Sequence, residues 1–374
     1  MALFGSETVS RGAERMLALL NDPEVSQITC DRYDRIIFHD RTGPKQAEQA
    51  FVNTQDYITW VNQLMALTDV GYTDVTTARV SVIEGSFRPD MIQVHGSIHV
   101  CTKELTRGEP AVTIRKQPTT VITLDNMLEQ GMLNPEMRQF LELAIRGRSN
   151  ILLSGGSGAG KTTMARALSY FIDPWQRVIT AEEIDELHLY DRLFNCVSLT
   201  TYRLRDEDGK LLRETTLEDL VRESLRMRGD RVWVGETRGK EAYALVKACN
   251  SGHDGSVTTL HADTGKQAVK QAVTYVMESG LTEQPAREQV MQAFDLVIQI
   301  NKVKMGRRVI TEITELENVM EGNSQQRQNQ LWVYDQGSEQ FVKQADPTPA
   351  FQRKWQRYGV NLPTTQSHAV GYRR

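Results

Sequence analysis

The stretch NILLSGGSGAGKTTMARALSYF, residues 150–171, decides the fold of this chain. Gly155, Gly160, Lys161 and Thr162 fit the pattern G-x-x-x-x-G-K-[ST], in which glycines let the backbone turn its N–H groups inward around phosphate oxygens. The apolar run ILL precedes the loop as a strand, and an amphipathic helix follows it. This context predicts a phosphate-binding loop, and a glycine-rich turn without a ligand is the less favoured alternative.

The residues of the loop have separate expected roles. Lys161 brings a positive charge to the β- and γ-phosphates, and the hydroxyl of Thr162 is available to Mg²⁺. The helix that follows presents its positive end to the same anion. The expected nucleotide-binding set is Gly155, Gly156, Ser157, Gly158, Ala159, Gly160, Lys161, Thr162 and Thr163.

Composition limits the classes of protein that this chain can belong to. Its 374 residues are enough for two domains, and its net charge of −4 argues against general nucleic-acid binding. The four cysteines are scattered and form no CxxC pair, which predicts reduced thiols in a cytoplasmic protein. No apolar run approaches the roughly 20 residues that cross a bilayer. Any membrane role is therefore expected to be peripheral.

The order of predicted strands and helices differs between the first part of the chain and the rest. Residues 1–110 are predicted to form an α+β domain on an antiparallel sheet, and TRGEPAVTIRKQPTT, residues 106–120, reads as the linker region. In residues 111–320 short apolar strands alternate with amphipathic helices, the pattern of a mostly parallel α/β sheet. Residues 321–374 are expected to form a short C-terminal extension with a hairpin, LWVYDQGSEQFVK.

Three further apolar strands run into polar side chains. RVITA runs into Glu182 and Glu183, VWVG into Glu236, and VTTL into His261. Ligands of open α/β sheets lie beyond the carboxyl ends of the strands, so these side chains are expected near the phosphate loop. Glu236 is the expected support for metal and water, and Glu182 is the expected base that orients the attacking water. Solvated or helix-capping glutamates are the alternative.

Two of the seven histidines lie in one stretch, SGHDGSVTTLHADT, which begins at Ser251. There is no H-E-x-x-H, no H-x-x-x-H and no cysteine pair nearby, so zinc is not expected. His261 follows a strand, and it is expected to hydrogen-bond the terminal phosphate or its water. His253 lies on a glycine-flanked loop, where a purely structural hydrogen bond is an equal alternative.

Taken in order, these motifs resemble those of the type II/IV secretion ATPase superfamily. GGSGAGKTT corresponds to Walker A, ITAEEIDEL to the Asp box, LRMRGDRVWVGETRG to Walker B and SGHDGSVTTLHA to the His box. The sequence is most similar to CpaF-like ATPases of tight-adherence pili and to relatives in conjugative type IV secretion. The resemblance implies an α/β fold, with a RecA-like P-loop NTPase core behind the N-terminal α+β domain.

The resemblance also implies arginines that cover the phosphate charge. Arg115 is the preferred catalytic candidate, although an ordinary surface arginine is at least an equal alternative at each position. The remaining candidates lie in N-terminal segments or flank the turn DEDG: Arg79, Arg88, Arg203, Arg205 and Arg213.

The resulting hypothesis is a Mg²⁺-dependent, hexameric ATPase at the cytoplasmic face of the inner membrane. It would power type IV secretion, conjugation or tight-adherence pilus assembly, with ATP as substrate and membrane platform proteins as partners. Zinc and direct nucleic-acid binding are not expected. One rival is a nucleic-acid-dependent motor of the RecA or helicase type, which requires a basic channel with stacking aromatics. Another is a ring component that binds ATP without hydrolysing it.

Overall fold

A computed structural model describes residues 11–40, 42–48, 51–68, 70, 74–77, 82–87, 92, 94, 96–106, 108–116, 122–205, 211–317 and 327–362. These residues form two compact units. The first unit takes the described residues up to 116, residues 184–186 and the described part of 202–214. The second takes residues 122–183, 187–201 and the described residues from 215 onwards. Within these ranges, no helix is long and apolar enough to cross a membrane.

The first unit is built on an antiparallel sheet of six strands, in the order β3-β2-β1-β6-β5-β4. Alternate residues of its strands face the core, and Ile114 of β6 pairs with both Ile28 of β1 and Ile98 of β5. The hydroxyl of Tyr57, on the second helix, donates to the carbonyl oxygen of Pro110 at 2.7 Å. The elements are α1 (Arg11–Asn21), β1 (Gln27–Arg32), β2 (Arg35–Asp40), β3 (Gly43–Gln46), α2 (Thr54–Ala66), β4 (Val82–Ser86), β5 (Gly96–Cys101), α3 (Lys103–Thr106) and β6 (Ala111–Lys116).

The boundary of the first unit differs from the expected one at residue 110. The segment AVTIRK, predicted to belong to the linker region, forms β6, which lies between β1 and β5. The first unit therefore continues at least to Lys116. Its alternating burial is typical of a strand, whereas the flanking glycine and prolines suggested a linker.

The second unit contains the phosphate loop and a sheet of nine strands. The strands beside the loop are short and buried on both faces, as strands of parallel sheets are. Its elements are α4 (Leu124–Glu129), α5 (Pro135–Arg146), β7 (Ile151–Gly155), α6 (Lys161–Ser169), β8 (Val178–Glu182), β9 (Cys196–Thr200), α7 (Leu217–Ser224), β12 (Arg231–Val234), α8 (Glu241–Asn250), β13 (Val257–Leu260), α9 (Gly265–Met277), α10 (Glu283–Ala293), β14 (Leu296–Lys302), β15 (Arg308–Glu317), β16 (Arg327–Asp335), β17 (Gln340–Lys343) and α11 (Pro349–Gln356). Between β9 and α7 the chain forms the hairpin β10 (Tyr202–Arg205) and β11 (Leu211–Thr215), whose described residues up to Glu214 belong to the first unit.

The order of the large sheet is β17-β16-β15-β14-β7-β13-β12-β8-β9. The strands from β14 to β9 are parallel, and those from β14 to β17 are antiparallel. Apolar side chains of α5, α6 and α11 cover one face, and those of α7, α8, α9 and α10 cover the other. The predicted α/β class is confirmed.

The segment predicted as a C-terminal extension takes part in the core. Strands β16 and β17 continue the large sheet as the expected hairpin. The ring of Trp355 on α11 is completely buried, and its Nε1 donates to the Ser149 hydroxyl at 2.8 Å. Residues 327–356 are therefore structural parts of the second unit.

Candidate functional site

The site lies where four parallel strands end. β7 pairs with β13, β13 with β12 and β12 with β8, so the four carboxyl ends meet at one edge of the sheet. The segments that leave these ends carry the phosphate loop, His261, Glu236 and Glu182. One edge of the second unit thus holds the main groups that the sequence singled out.

The backbone conformation of the phosphate loop depends on its glycines. Gly158 and Gly160 have φ values of 66° and 98°, in the left-handed region that favours glycine. A Cβ on Gly155 would lie 2.2 Å from the carbonyl oxygen of Ile300 on the neighbouring strand β14. Larger residues at these three positions would strain the backbone or push the strands apart.

The N-terminus of α6 is open to an anion. The side chains of Asn134 and Thr216 cap α5 and α7, but the N-cap residue of α6 is Gly160, which has no side chain to do so. The first N–H groups of an α-helix have no partner within the helix, and they carry its positive dipole end. A phosphate group supplies the missing acceptor.

Lys161 already has neutral acceptors in this structure. Its side chain is almost fully buried, and its Nζ donates to the carbonyl oxygens of Gly155 and Gly156 at 2.9 and 3.3 Å. The same Nζ lies 3.3 Å from Nδ1 of His261. The lysine therefore links the loop to the strand-end histidine.

A chain of polar contacts continues from His261 along the sheet edge. Its Nε2 lies 2.7 Å from Oε1 of Glu236, and Oε2 of Glu236 accepts from Arg238 at 2.7 Å. Arg238 also donates to Glu183 at 3.3 Å. Because the Lys161 ammonium can only donate, Nδ1 of His261 is the acceptor and Nε2 carries the proton.

Glu182 occupies a more enclosed position than Glu236. The residue is 2% exposed, and its carboxylate accepts a hydrogen bond from the backbone N–H of Leu187 at 3.1 Å. Its Oε1 lies 2.8 Å from the place where a Cβ on Gly235 would be. Glu182 thus packs against the residue before Glu236 and fixes the turn at residues 183–187.

His253 plays a different part from His261. Its backbone N–H and its Nδ1 both lie at hydrogen-bond distance from the carbonyl oxygen of Ala248, near the end of α8. Its own carbonyl accepts from the hydroxyl of Ser256 at 2.8 Å. These contacts fit the structural alternative for His253.

The arginine candidates are spread over several segments. Arg115 lies on β6 of the first unit with its side chain exposed, and Arg203 forms an ion pair with Glu214 across the β10–β11 hairpin. Arg213 is exposed on β11. Arg79, Arg88 and the side chain of Arg205 lie outside the described residues.

Two basic residues that the sequence analysis missed also touch the phosphate loop. Nε of Arg308, at the start of β15, donates to the carbonyl oxygen of Gly158 at 3.1 Å. Nζ of Lys302, at the end of β14, lies 3.0 Å from the position of a Cβ on Gly158. Lys302 ends an apolar strand, so the rule that found Glu236 and His261 also applies to it. No local pattern indicates Arg308.

Strand β14 also holds the loop that carries His261. Nε2 of Gln299 donates to the carbonyl oxygen of Ala262 at 2.9 Å, and Nδ2 of Asn301 donates to that of Asp263 at 3.1 Å. These polar residues interrupt the apolar run LVIQINK. They fix the backbone immediately after His261.

Comparison with known proteins identifies relatives of this arrangement. "Probable conjugal transfer protein TrbB" of Sinorhizobium fredii is 30% identical over 227 residues, which are 60% of this chain and 65% of that protein. "Type IV secretion system protein VirB11" of Bartonella quintana is 33% identical over 51% of this chain and 52% of its own length. The chain thus matches less than two thirds of the length of these relatives.

Solved structures share the fold at low sequence identity. The Legionella pneumophila ATPase DotB has a TM-score of 0.56 at 20% identity, with 82% of this chain and 80% of that chain covered. The pilus retraction motor PilT with bound ADP also has a TM-score of 0.56, at 13% identity over 94% and 87% of the two chains. The sequence model of the family "Type II/IV secretion system protein" matches residues 92–348. This chain belongs to the type II/IV secretion system protein family.

Proposed function

We propose that this chain hydrolyses ATP at the carboxyl ends of the central parallel strands of its nine-stranded sheet. The observation that carries the proposal is the contact of Lys161 with His261, and of His261 with Glu236. These residues are distant in sequence, and they meet beside a glycine loop and an uncapped helix N-terminus. Such a site can hold a triphosphate and place a hydrogen-bonding relay against its terminal phosphate.

The donor set fits Mg²⁺ bound together with a nucleotide. Among the described residues no cluster of three His, Cys, Asp or Glu side chains could hold a metal alone. Mg²⁺ usually keeps several waters and takes only one or two protein ligands besides phosphate oxygens. The Thr162 hydroxyl and the Glu236 carboxylate would hold it, directly or through water. When bound, the ion neutralises charge on the phosphates.

The protein side chains of the site have separate roles in binding the nucleotide and in activating water. Phosphate oxygens are charged and so accept more strongly than the carbonyls that hold Lys161, which favours transfer of its ammonium to the nucleotide. His261 senses the γ-phosphate through the contact that Lys161 vacates. Glu182 orients the attacking water, and Glu236 supports both the water and the metal.

The assembly and its task belong to the same proposal. Relatives carry the names conjugal transfer protein and type IV secretion system protein, which supports a motor for secretion, conjugation or tight-adherence pilus assembly. We infer a homohexameric ring on platform proteins at the cytoplasmic face of the inner membrane. Arg115 would contact the phosphates as the arginine finger.

ATP turnover of the purified chain with Mg²⁺ tests the proposal. Release of phosphate is expected, and Lys161→Ala is expected to abolish it because the loop loses its principal cation. Lys343→Ala is a matched control, since Lys343 is exposed on β17 and pairs with Asp346 at 2.7 Å. A wild-type chain that binds ATP without turnover would support the non-hydrolysing alternative. Turnover that requires DNA would support the nucleic-acid motor.

A further inference from the structure

Two strands bring additional positive charge to the phosphate loop within the second unit. Arg308 donates from Nε to the carbonyl oxygen of Gly158 at 3.1 Å, and its Cδ lies 3.4 Å from the Cβ position of Gly160. Nζ of Lys302 lies 3.0 Å from the Cβ position of Gly158. Both side chains therefore face the same part of the loop.

Ordinary surface ion pairing does not account for these positions. Over the part of the chain that the structure describes, neither Lys302 nor Arg308 has a carboxylate oxygen within 4.0 Å. The two other cations of the same turn, Lys304 and Arg307, both reach Glu339, at 4.0 and 3.1 Å. Two cations of this turn, Lys304 and Arg307, thus lie near Glu339, whereas Lys302 and Arg308 lie against the phosphate loop.

Cations beside a phosphate-binding loop have a ready partner, because the phosphates of a nucleotide carry several negative charges. The loop already holds Lys161, and like charges close together cost free energy unless an anion joins them. A bound polyphosphate is the anion that the loop is shaped to receive. Its phosphate oxygens would give the charges of Lys302 and Lys161 a shared counter-charge.

We propose that Lys302 binds the phosphate chain of the nucleotide in the same subunit, and that Arg308 positions the loop for it. This inference rests on the proposed function. Lys302 has an unbranched stem, and its ammonium can move a short distance from Gly158 to a phosphate oxygen. Arg308 keeps the carbonyl oxygen of Gly158 in a charge-assisted hydrogen bond, so that its partial negative charge is offset beside the anion.

The position of Gly158 predicts which ligands depend on Lys302. His261 contacts Lys161, whereas Lys302 contacts a different part of the loop. Lys302 should therefore contribute to ADP and ATP alike, and His261 should matter only when the γ-phosphate is present. AMP, with its single phosphate, should depend least on Lys302.

Equilibrium binding of fluorescent ADP and ATP analogues to the full chain tests this inference. Lys302→Met should weaken both nucleotides about five- to tenfold, because one exposed charge-assisted contact is lost. The salt dependence of binding should become shallower, since fewer charges meet the ligand. Lys304→Met removes the same charge from the same turn, and its affinity should stay within about twofold of wild type.

Arg308 is tested by substitutions that separate its charge from its length. Arg308→Met should weaken ADP and ATP binding and lower turnover, whereas Arg308→Lys should recover part of both, because lysine can still donate to Gly158. Arg307→Lys is the matched control on the neighbouring residue. Thermal unfolding of each variant shows whether the fold is intact.

The outcomes separate the two proposals. If wild type binds ATP and Lys161→Ala does not, but Lys302→Met matches Lys304→Met in affinity and salt dependence, the role of Lys302 is excluded and the proposed function stands. If neither wild type nor any variant binds a nucleotide, both proposals fail. Weakening that is equal for AMP, ADP and ATP would also contradict a phosphate contact by Lys302.

Discussion

At the level of single residues, the site is defined by the acceptors that the Lys161 ammonium contacts. Its ammonium lies within hydrogen-bond distance of two carbonyl oxygens and an imidazole nitrogen, which are all neutral acceptors. A charged phosphate oxygen is a stronger acceptor than any of them. Nucleotide binding should therefore separate Lys161 from His261 and leave Nδ1 free to respond to the γ-phosphate.

His261→Ala is expected to lower ATP turnover at least about tenfold, because the relay between Lys161 and Glu236 is removed where charge develops. ADP affinity should change by less than about twofold, since the loop and the helix N-terminus remain. Steady-state turnover and ADP titration measure the two effects. His253→Ala is the control, and unchanged turnover in His261→Ala would show that the histidine has no part in the reaction.

Glu182→Gln is expected to lower kcat about a hundredfold, as for loss of a general base, while the fold is retained. Glutamine keeps an oxygen to accept the N–H of Leu187, so the turn at residues 183–187 should survive. Glu183→Gln is the comparison, because its carboxylate is exposed and pairs with Arg238. If Glu183→Gln lost more turnover than Glu182→Gln, the water-orienting role would belong to Glu183.

The sequence allowed some of these residues to be predicted, but not others. Lys161 lies in a local motif, and Glu236 and His261 each follow an apolar strand, so one rule about strand ends was sufficient to place them together. Arg308 reaches Gly158 from the beginning of an antiparallel strand. Its contact depends on the pairing of β14 with β15, which no local pattern specifies.

At the scale of elements, α11 is held at the end of the sheet away from the phosphate loop. Lys354 lies 2.8 Å from Asp254 and 2.7 Å from Asp295, which precede β13 and β14. The hydroxyl of Tyr358 donates to Asp254 at 2.7 Å. The last helix therefore braces the stretch that leads into the strand of His261.

The pKa values of this cluster shift in opposite directions. Burial raises the pKa of Asp295, and Lys354 offsets only part of that rise. For Asp254, burial raises the pKa, but Lys354, Tyr358 and Arg357 together outweigh it, so the net shift of the pKa is downward. For Lys354, burial lowers the pKa but the two carboxylates outweigh it, and its pKa is raised.

Stability should follow these shifts with a definite sign. Because the folded pKa of Lys354 is raised, its contribution is present below the unfolded pKa of about 10.4 and is lost as pH rises through the folded value. Asp254, with a lowered folded pKa, contributes above its unfolded pKa of about 3.9 and loses that contribution as pH falls through the folded value. The charge of Asp295 costs stability at neutral pH, and acid relieves that cost.

Lys354→Met is expected to reduce the free energy of unfolding by up to roughly 3 kcal/mol at neutral pH, because two largely buried carboxylates lose their shared cation. The deficit should shrink as pH falls, since protonation removes the unpaired charges. Urea unfolding from pH 4 to pH 8 measures it. Arg353→Met, an exposed neighbour on the same helix, is the control. A deficit that is constant with pH would mean that lost packing is the cause.

The sequence predicts individual helices and strands better than it predicts which sheet or unit each of them joins. The strands and the hairpin follow from periodicity, which is a local property. The membership of β6 in the first sheet depends on its pairing with β1, more than 80 residues away in the chain by the paired positions Ile28 and Ile114. The packing of α11 beside β7 depends on a still longer separation, 206 residues between Trp355 and Ser149, so it could not be predicted from local patterns.

At the scale of the whole molecule, the described structure is a pair of compact units, and the proposed reaction uses side chains of the second. Arg115 belongs to the first unit. Arg115 is the proposed arginine finger. Arg115→Ala should then lower kcat about a thousandfold with little change in ADP affinity, as for arginine fingers elsewhere. Arg35→Ala, exposed on β2, is the control, and an unchanged kcat would exclude Arg115.

The proposed ring makes a prediction about assembly. With ATP and Mg²⁺, electron microscopy of the purified chain should show particles with sixfold symmetry, and light scattering should report a mass near six chains. Lys161→Ala should assemble less readily if the nucleotide stabilises the ring by mass action. Monomers at every concentration tested, with and without ATP, would contradict a ring.

The central claim is that one nucleotide lies among Lys161, His261, Glu236 and Glu182. An experimental structure with Mg²⁺ and a non-hydrolysable ATP analogue tests it most directly. The predicted result is a γ-phosphate within hydrogen-bond distance of Lys161, with His261 and Glu236 beside it and Thr162 at the metal. A nucleotide bound elsewhere, or one that leaves Lys161 on the carbonyl oxygens of Gly155 and Gly156, would contradict the claim.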